Sequence, residues 1–504
     1  MSAALARLER WQVLALVALP VVWAWIVFAP GFATDPDSYY HAGVARHLVE
    51  DGWVRHFEWL PHTTLADPYP NMYVGQHLLL APFVALFGPD TGMRVGVLAL
   101  SSAFALSVYA VLRRRGVRWP APWIVLGMLA SPALLTYAVF LKGATTFLIV
   151  LPWFVDAVWS GARRRTFALA WLSVYVYVGA TVLVPFALVA MVVVRWWDDR
   201  WDAGCVVATV AGIAAGMLVN PSWPAHWGYV AAELGTIFER DGALVPGEFR
   251  GAEWALVTTD TLVFLVGGVL VAWGVLLMRQ LGRAARVSAA GASGAIAAFG
   301  LLGAGLLSGT KMIHLFAVLS LLTVPVLAEQ MAPWPRRIVP ALAAAAALAV
   351  AVWSVTHLHD ELRDAQGVVR PRDYRAMAAW LDERTTPRET VVAPWDDMPG
   401  LFLFTRRDQR FVAGVNVQFL RDHDRRRFEA YALFYRGQIR DPERALPTFF
   451  DGARFVLVRR LAHFPGEPAL TAALAQNPAF EELASPTPAW RVFRLRAPAV
   501  TGQP

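Results

Sequence analysis

Long apolar runs alternate with short polar connections over the first 356 residues of the chain. A run of about 20 apolar residues is the length needed to cross a bilayer as a helix. Such runs predict spans at 11–30, 92–112, 121–140, 143–160, 203–220, 255–278, 288–307, 312–330 and 338–356. The longer run at 166–194 predicts two short helices, folded back at Gly179 and Pro185. The pattern therefore predicts a polytopic α-helical membrane protein with about 11 transmembrane helices.

The apolar run at 72–88 is too short to span a bilayer and is interrupted by Gln76 and His77,. It predicts a helix half-sunk in the membrane interface. With this assignment, the connections on one side hold sixteen arginines, including those of 113–118, whereas the three short outer connections, 141–146, 220–254 and 308–311, hold four basic residues. This bias predicts a cytoplasmic N-terminus, an extracytoplasmic C-terminus and insertion in the cell inner (plasma) membrane.

The composition changes after residue 357, where charged residues and turn residues alternate with short β-type runs. We predict a helix at 373–384, a helical turn at 398–405, and strands at 391–393, 411–414, 455–458 and 490–495,. Helix–strand alternation predicts a small α/β domain on the extracytoplasmic face. The predicted organisation is a membrane domain at 1–356, with a first extracytoplasmic loop at 31–91, followed by the α/β domain at 357–504.

Composition supports this organisation, because 57% of residues are hydrophobic and only 16% are charged. A soluble domain carries about 25% charged residues. The net charge of +7 does not indicate nucleic acid binding, because the arginines cluster between apolar runs as topology signals do,. The single cysteine, Cys205, excludes a disulfide within the chain,. Residues 11–33 have some features of a signal peptide, but the spans that follow favour an uncleaved first helix.

The segment TDPDSYYHAGVARH at 34–47 places two carboxylates, Asp35 and Asp37, at the mouth of the first span. An ionised carboxylate at this boundary can accept a proton from a nucleophile or bind a cation such as Mg²⁺ or Mn²⁺. Pro36 predicts that Asp35 ends a turn and that Asp37 begins a helix. Residues 39–50 fit an amphipathic helix on the protein surface. The alternative is that these acids only cap a helix.

Several other polar residues fall in loops on the same predicted face. Lysine can bind a phosphate as a point charge, which suits an anionic lipid-linked substrate. The alternative for a lysine at a span end is that its ammonium only reaches out to the lipid headgroups. Without a tight ligand cluster, the histidines are either substrate-binding or simply interfacial. The candidate substrate-binding residues are Lys142, Lys311, His314, His41, His62 and Tyr40.

The order of elements resembles the GT-C superfamily of membrane glycosyltransferases: one span, DPDSYYHAGVARHLVEDG, a half-sunk helix, then a span ending in arginines. That superfamily includes oligosaccharyltransferase catalytic subunits and the protein mannosyl- and lipid A aminoarabinose transferases. Residues 60–88 and 393–416 also resemble the class. Aligning on Tyr39-Tyr40-His41 implies that the family's first-loop acidic residue is Asp37, with Asp35 second, and that Asp37 is the base that activates the acceptor. The resemblance implies inverting transfer from a polyprenyl-phosphate or polyprenyl-pyrophosphate sugar to a glycan, lipid or protein acceptor.

The sequence departs from oligosaccharyltransferases in two places. Their second acidic motif is replaced by LKGATT, which contains Lys142 and no acid, so metal dependence of that type is doubtful. Trp395-Asp396-Asp397 stands at the position of their WWDYG motif, so that Asp396 and Asp397 either bind an acceptor or cap the next helix. A multi-span transporter and a membrane anchor for the outer domain remain alternatives to a glycosyltransferase.

Overall fold

The computed structural model of the 504-residue chain describes residues 2–29, 32, 34–198, 202–236, 296–298, 311–330, 348–360, 369–406, 408–461 and 466–496. Its amino-terminal part is helical. The helices are α1 Ser2–Val27, α2 Pro36–Glu50, α3 Val74–Phe87, α4 Pro89–Arg114, α5 Pro120–Ala130, α6 Pro132–Val139, α7 Thr145–Trp159, α8 Arg163–Val176, α9 Leu183–Asp198, α10 Gly204–Leu218, α11 Ala225–Thr236 and α12 Lys311–Gln330. Residues 348–360 are also helical.

Among the described residues, three helical stretches are long and apolar enough to cross a membrane: Arg10–Val27, Pro89–Arg114 and Val178–Arg195. A fourth candidate is the pair formed by α5 and α6, which are bent by 88° at the intervening residue, Ser131. The predicted span at 121–140 is therefore a broken helix. The predicted spans at 255–278 and 288–307 lie almost wholly outside the described residues, so the expected number of 11 stays a prediction.

The predicted break within 166–194 is present at Gly179, one of the two residues at which it was expected. Helix α8 ends at Val176, a 3₁₀ turn covers Val178–Val182, and Gly179 leaves helical geometry there. Pro185 does not mark the break, because it lies in the first turn of α9, where proline is tolerated.

The run at 72–88 forms α3, which is 14 residues or about 21 Å long,. Gly88, with φ +76°, is the single residue between α3 and α4. A left-handed φ favours glycine, and it lets the chain reverse within one residue. The two helices then pack against each other along their length.

The prediction that α2 lies on the surface is wrong. Its residues Ser38–Ala45 are buried, because α3 packs on one side and the C-terminal part of the chain covers the other. A Cβ at Gly43 would lie 2.3 Å from the Phe402 ring, so only glycine permits this close approach,. The helix predicted to lie on the protein surface is thus part of an interface between elements of the protein.

The C-terminal part contains helices and strands, as the sequence predicts, and five strands form one sheet. Its helices are α13 Pro371–Arg384, α14 Met398–Phe404, α15 Gln418–His423, α16 Arg425–Tyr435, α17 Pro442–Phe449 and α18 Glu467–Gln476. Its strands are β1 Thr390–Val392, β2 Arg410–Phe411, β3 Phe455–Arg459, β4 Phe480–Leu483 and β5 Trp490–Leu495. The strand order is β2-β1-β3-β5-β4, with β1 parallel to β2 and β3, and β5 antiparallel to β3 and β4. β4 and the helices α15–α18 were not predicted.

Successive residues of the central strands face two different cores, as the two-residue period of a strand requires. Val391 and Phe455 belong to the core that continues into α2 and the membrane helices. Val392 and Val456 face a second core, which lies within the C-terminal part. One face of the sheet is thus continuous with the core around α2. The division of the chain at residue 357 stays a prediction.

Candidate active site

Asp35 and Asp37 lie at the beginning of α2. Pro36 occupies the first helical position and holds Asp35 in an extended conformation, with φ −69° and ψ 142°,. The Asp35 carboxylate accepts a hydrogen bond from the Asp37 backbone N–H at 2.9 Å. Asp35 is therefore the N-cap of α2, although capping is not its only contact, because it also pairs with Lys142. The Asp37 carboxylate, on the second helical residue, is 34% exposed and does not serve as the cap.

Lys142 reaches these carboxylates from the turn between α6 and α7. Its Nζ lies 2.6 Å from Asp35 Oδ2 and 3.6 Å from Asp37 Oδ2, and its side chain is only 15% exposed. A lysine that merely reached toward headgroups would point away from the protein, so that alternative is wrong for Lys142. More than one hundred residues separate Asp35 from Lys142 in the sequence, and the fold brings them into one ion-paired group.

The turn that carries Lys142 is fixed by helices α2 and α3. Gln76, which is fully buried, donates a hydrogen bond to the Lys142 carbonyl at 3.0 Å and accepts one from the Thr146 N–H at 3.3 Å. The Ser38 hydroxyl of α2 accepts a hydrogen bond from the Leu141 N–H at 2.9 Å. Hydrogen bonds from α2 and α3 therefore fix the backbone of the turn from which the Lys142 ammonium group extends.

A line of buried histidines lies next to this ion-paired group. His41 Nδ1 lies 2.8 Å from His77 Nε2, and His77 Nδ1 lies 2.9 Å from Asn71 Oδ1. Burial, followed by the neighbouring His77 and Lys142, lowers the pKa of His41 well below its ordinary value,. His41 is therefore neutral at physiological pH. The hydroxyl of Tyr40 is bonded to that of Tyr69 within the same buried region.

Two of the other candidate residues, His62 and His314, make different contacts. His62 bonds instead to Asp451 of the C-terminal part, which also accepts from Arg427 at 3.0 Å. His62 therefore joins the first loop to the C-terminal part. His314 packs edge-on against Tyr137 of α6, with ring centroids 4.5 Å apart. The backbone of Lys311 begins α12, but its side chain lies outside the described part of the structure.

Asp396 and Asp397 do not form an open acceptor site. Asp397 is fully buried and accepts four hydrogen bonds: from Tyr374, from Arg459 Nη2, from Arg459 Nε and from Trp490. Asp396 binds the same guanidinium at 3.0 Å. Neither of the two sequence-based interpretations of Asp397 holds, because its carboxylate makes no capping bond to α14 either. It is the buried counterion of Arg459.

Several solved structures have a fold similar to that of this protein. The fold is similar to that of ArnT from Cupriavidus metallidurans bound to undecaprenyl phosphate, with a TM-score of 0.61 at 15% identity over 98% of this chain and 99% of that one. ArnT in the apo state gives a TM-score of 0.57 at 15% identity over 96% and 98% of the two chains. The oligosaccharyltransferase of Archaeoglobus fulgidus gives 0.60 at 12% identity over 89% of this chain and 69% of that one. The protein has the GT-C fold. No protein-family model and no curated protein sequence matches the chain.

The GT-C fold raises the question of a divalent metal, and we tested whether the described residues fit one. Asp35 already binds an N–H with one oxygen and the Lys142 ammonium with the other. Within the described part of the chain, the group of three potential ligands is His47, Glu50 and Asp51, at the far end of α2. The ammonium group of Lys142 therefore lies beside Asp35 and Asp37, where a metal site would need a third ligand.

Sequence patterns alone assign no role to Gln76, Asn71 and Ser38, which support the group around Lys142 and His41. Each is a neutral polar residue whose partner is distant in sequence or hidden in an apolar segment. The available signal was the interruption of an apolar run by Gln76-His77. Polar residues in an apolar helix need a partner, and here the partners are the Lys142 turn and His41.

Proposed function

We propose that the protein is an integral-membrane, inverting glycosyltransferase. It moves a hexosyl or pentosyl group from a polyprenyl-phosphate or polyprenyl-pyrophosphate donor to a glycan, lipid or protein acceptor. The observation that carries the proposal is the group formed by Asp35, Asp37 and Lys142 at the beginning of α2. Its support is the GT-C fold, together with the undecaprenyl phosphate bound by ArnT, one of the proteins with a similar fold.

In the proposed reaction Asp37 is the general base. A hydroxyl oxygen of the acceptor attacks the anomeric carbon while the bond from that carbon to the phosphate oxygen breaks. The hydroxyl proton passes to the Asp37 carboxylate, and the polyprenyl phosphate leaves with the bonding electron pair. A single displacement inverts the anomeric configuration. Asp37 suits the role of base better than Asp35, because Asp35 caps α2 and binds Lys142 at the shorter distance.

Lys142 is the proposed contact for the leaving phosphate. A lysine ammonium has three N–H donors and can bind a phosphate while it holds a carboxylate. Two carboxylates and one ammonium carry a formal charge of −1, so a phosphate would need further positive charge at this site. We assign that charge to Lys311 and place His314, one turn later in α12, near it.

We further propose that this site faces the extracytoplasmic side of the plasma membrane. Arg114, Arg115 and Arg165 meet on the buried carboxylate of Asp156 at distances of 2.7 to 3.2 Å. This arginine-rich region lies at the end of α4, a helix about 39 Å long that begins near α2,. Arginines collect on the cytoplasmic side of membrane proteins. The C-terminal part, which packs on α2, is then extracytoplasmic.

The test is to incubate the purified protein with a panel of polyprenyl-phosphate sugars and to measure released polyprenyl phosphate. We expect release from at least one donor, and loss of release in Asp37→Asn with unchanged folding. Asp67→Asn is the matched control, because Asp67 is an exposed acid of the same loop. Full activity of Asp37→Asn would remove the assignment of the base.

The transporter remains a second candidate, because the α5–α6 pair is broken by 88° and transporters use broken helices near their substrate sites,. Flux of a labelled sugar into proteoliposomes, without release of polyprenyl phosphate from any donor, would favour it. Oligosaccharyltransferase-type protein glycosylation is not supported by Asp397, since all four of its hydrogen bonds are made within the protein.

A further inference from the structure

The buried line Asn71–His77–His41 determines which nitrogen of His41 carries a proton. Asn71 Oδ1 also accepts a hydrogen bond from the Tyr73 N–H at 3.3 Å, so this atom is an acceptor. His77 must therefore donate to it from Nδ1,. A neutral imidazole has one N–H, which leaves a lone pair on His77 Nε2.

The position of the proton on His77 in turn determines its position on His41. Because His77 Nε2 is an acceptor, His41 must donate to it from Nδ1,. His41 is neutral, as its burial requires, and its Nε2 then carries a lone pair and no proton,. Among the described residues, no hydrogen-bond partner of His41 Nε2 is found. The orientation of the Asn71 amide thus determines which nitrogen of His41 is protonated, through two successive hydrogen bonds.

His41 follows Asp37 by one helical turn on α2,. The two residues are four apart on α2, so they share one face of the helix,. Lys142 is close enough to both to bind the carboxylate and to influence the imidazole electrostatically. A bare nitrogen lone pair repels phosphate oxygens and attracts the hydrogen of a hydroxyl group.

We propose that His41 Nε2 accepts a hydrogen bond from a sugar hydroxyl of the acceptor or of the donor sugar, and that His77 and Asn71 are positioning residues that fix its tautomer. This inference rests on the proposed glycosyltransferase function. It assigns the sugar hydroxyl to His41 and the phosphate to Lys142. His41 is then a specificity-determining residue rather than a general contact for the lipid-linked donor.

The tautomer can be measured without any transfer reaction. ¹⁵N chemical shifts of histidine-labelled protein, assigned with His41→Asn, distinguish protonated from bare ring nitrogens. We expect a protonated Nδ1 and a bare Nε2 at neutral pH. A protonated Nε2 or a doubly protonated ring would overturn the inference.

The ligand is tested by titrating the same sample with two probes, methyl glucoside and inorganic phosphate. The His41 Nε2 signal should move with the glycoside and not with phosphate; the reverse result contradicts the assignment. His41→Asn keeps an amide N–H that can donate to His77 but has no acceptor at the Nε2 position. In this variant kcat/KM for transfer to a hydroxyl acceptor should fall about 2- to 10-fold, the effect of one hydrogen bond, with the binding of sugar-free polyprenyl phosphate unchanged.

The outcomes separate this inference from the proposed function. If no polyprenyl phosphate is ever released but the Nε2 signal responds to the glycoside, the transferase proposal fails and the hydroxyl subsite remains. If transfer occurs and His41→Asn has the wild-type kcat/KM, the hydroxyl subsite is wrong and the transferase proposal remains.

Discussion

Replacing Gln76 by leucine should impair the site through Lys142. The substitution removes two hydrogen bonds to the Lys142 turn and leaves a carbonyl and an N–H group without their partner. A buried group left unsatisfied costs about 1–3 kcal/mol. Because the Lys142 carbonyl is only partly buried, we expect a loss of stability of about 2–4 kcal/mol for the two groups together. The released turn should also let the ammonium move away from Asp35 and Asp37.

A double-mutant cycle with Lys142→Gln separates this positioning role from a general loss of stability. If Gln76 acts through Lys142, kcat/KM of Gln76→Leu/Lys142→Gln should be close to that of Lys142→Gln alone. The expected coupling is about 1–2 kcal/mol, or about 5- to 30-fold in rate. Gln12→Leu, at another buried glutamine in the first half of α1, is the matched control. Effects of Gln76→Leu and Lys142→Gln that add within about 0.5 kcal/mol would refute the argument.

Three further predictions concern charged groups outside this site. Asp397→Ala should destabilise the protein by about 3–5 kcal/mol in chemical denaturation, because the buried Arg459 guanidinium keeps only Asp396 as a counterion and the Tyr374 and Trp490 donors lose their acceptor,; a loss below 1 kcal/mol would contradict this. Asp156→Ala should reduce the yield of folded protein in detergent, since three guanidinium groups would face one another without their carboxylate; a wild-type thermal unfolding curve would exclude that role. His62→Ala removes the hydrogen bond that lowers the pKa of Asp451. A carboxyl with a lowered pKa stabilises the fold above its unfolded pKa of about 3.9, and this contribution is lost as the pH falls through the lower folded value. The variant should therefore lose less stability on acidification below about pH 4 than the wild type does, and parallel acid-unfolding curves would contradict the assignment.

The features that the sequence predicted well are those with a local or repeated signal. Apolar length predicted α1 and α4, and the helix–strand alternation predicted α13, β1, β3 and β5. The sequence also placed Asp35, Asp37 and Lys142 on one face of the membrane domain, although it did not predict their ion pairs. These signals depend on residue type and spacing alone, so they can be recognised in the sequence without knowledge of tertiary contacts.

The features that the sequence missed depend on contacts between distant residues. The burial of α2 requires that Phe402 pack on Gly43, and these positions are more than three hundred residues apart. The role of Asp397 depends on Arg459, which is the last residue of β3 and lies 62 positions later in the sequence. The break at Ser131 was missed because the apolar run continues through it. No periodicity or capping pattern encodes such pairings, so they appear only in the structure.

The most direct test of the central claim is the stereochemistry and stoichiometry of a single turnover. A polyprenyl-phosphate sugar labelled at its anomeric carbon is mixed with excess protein and acceptor, and both products are analysed by NMR and mass spectrometry. We expect one polyprenyl phosphate for each glycoside formed, with the anomeric configuration inverted and with both products absent in Asp37→Asn. Retention of configuration, or transfer that persists in Asp37→Asn, would contradict a single displacement at this carboxylate.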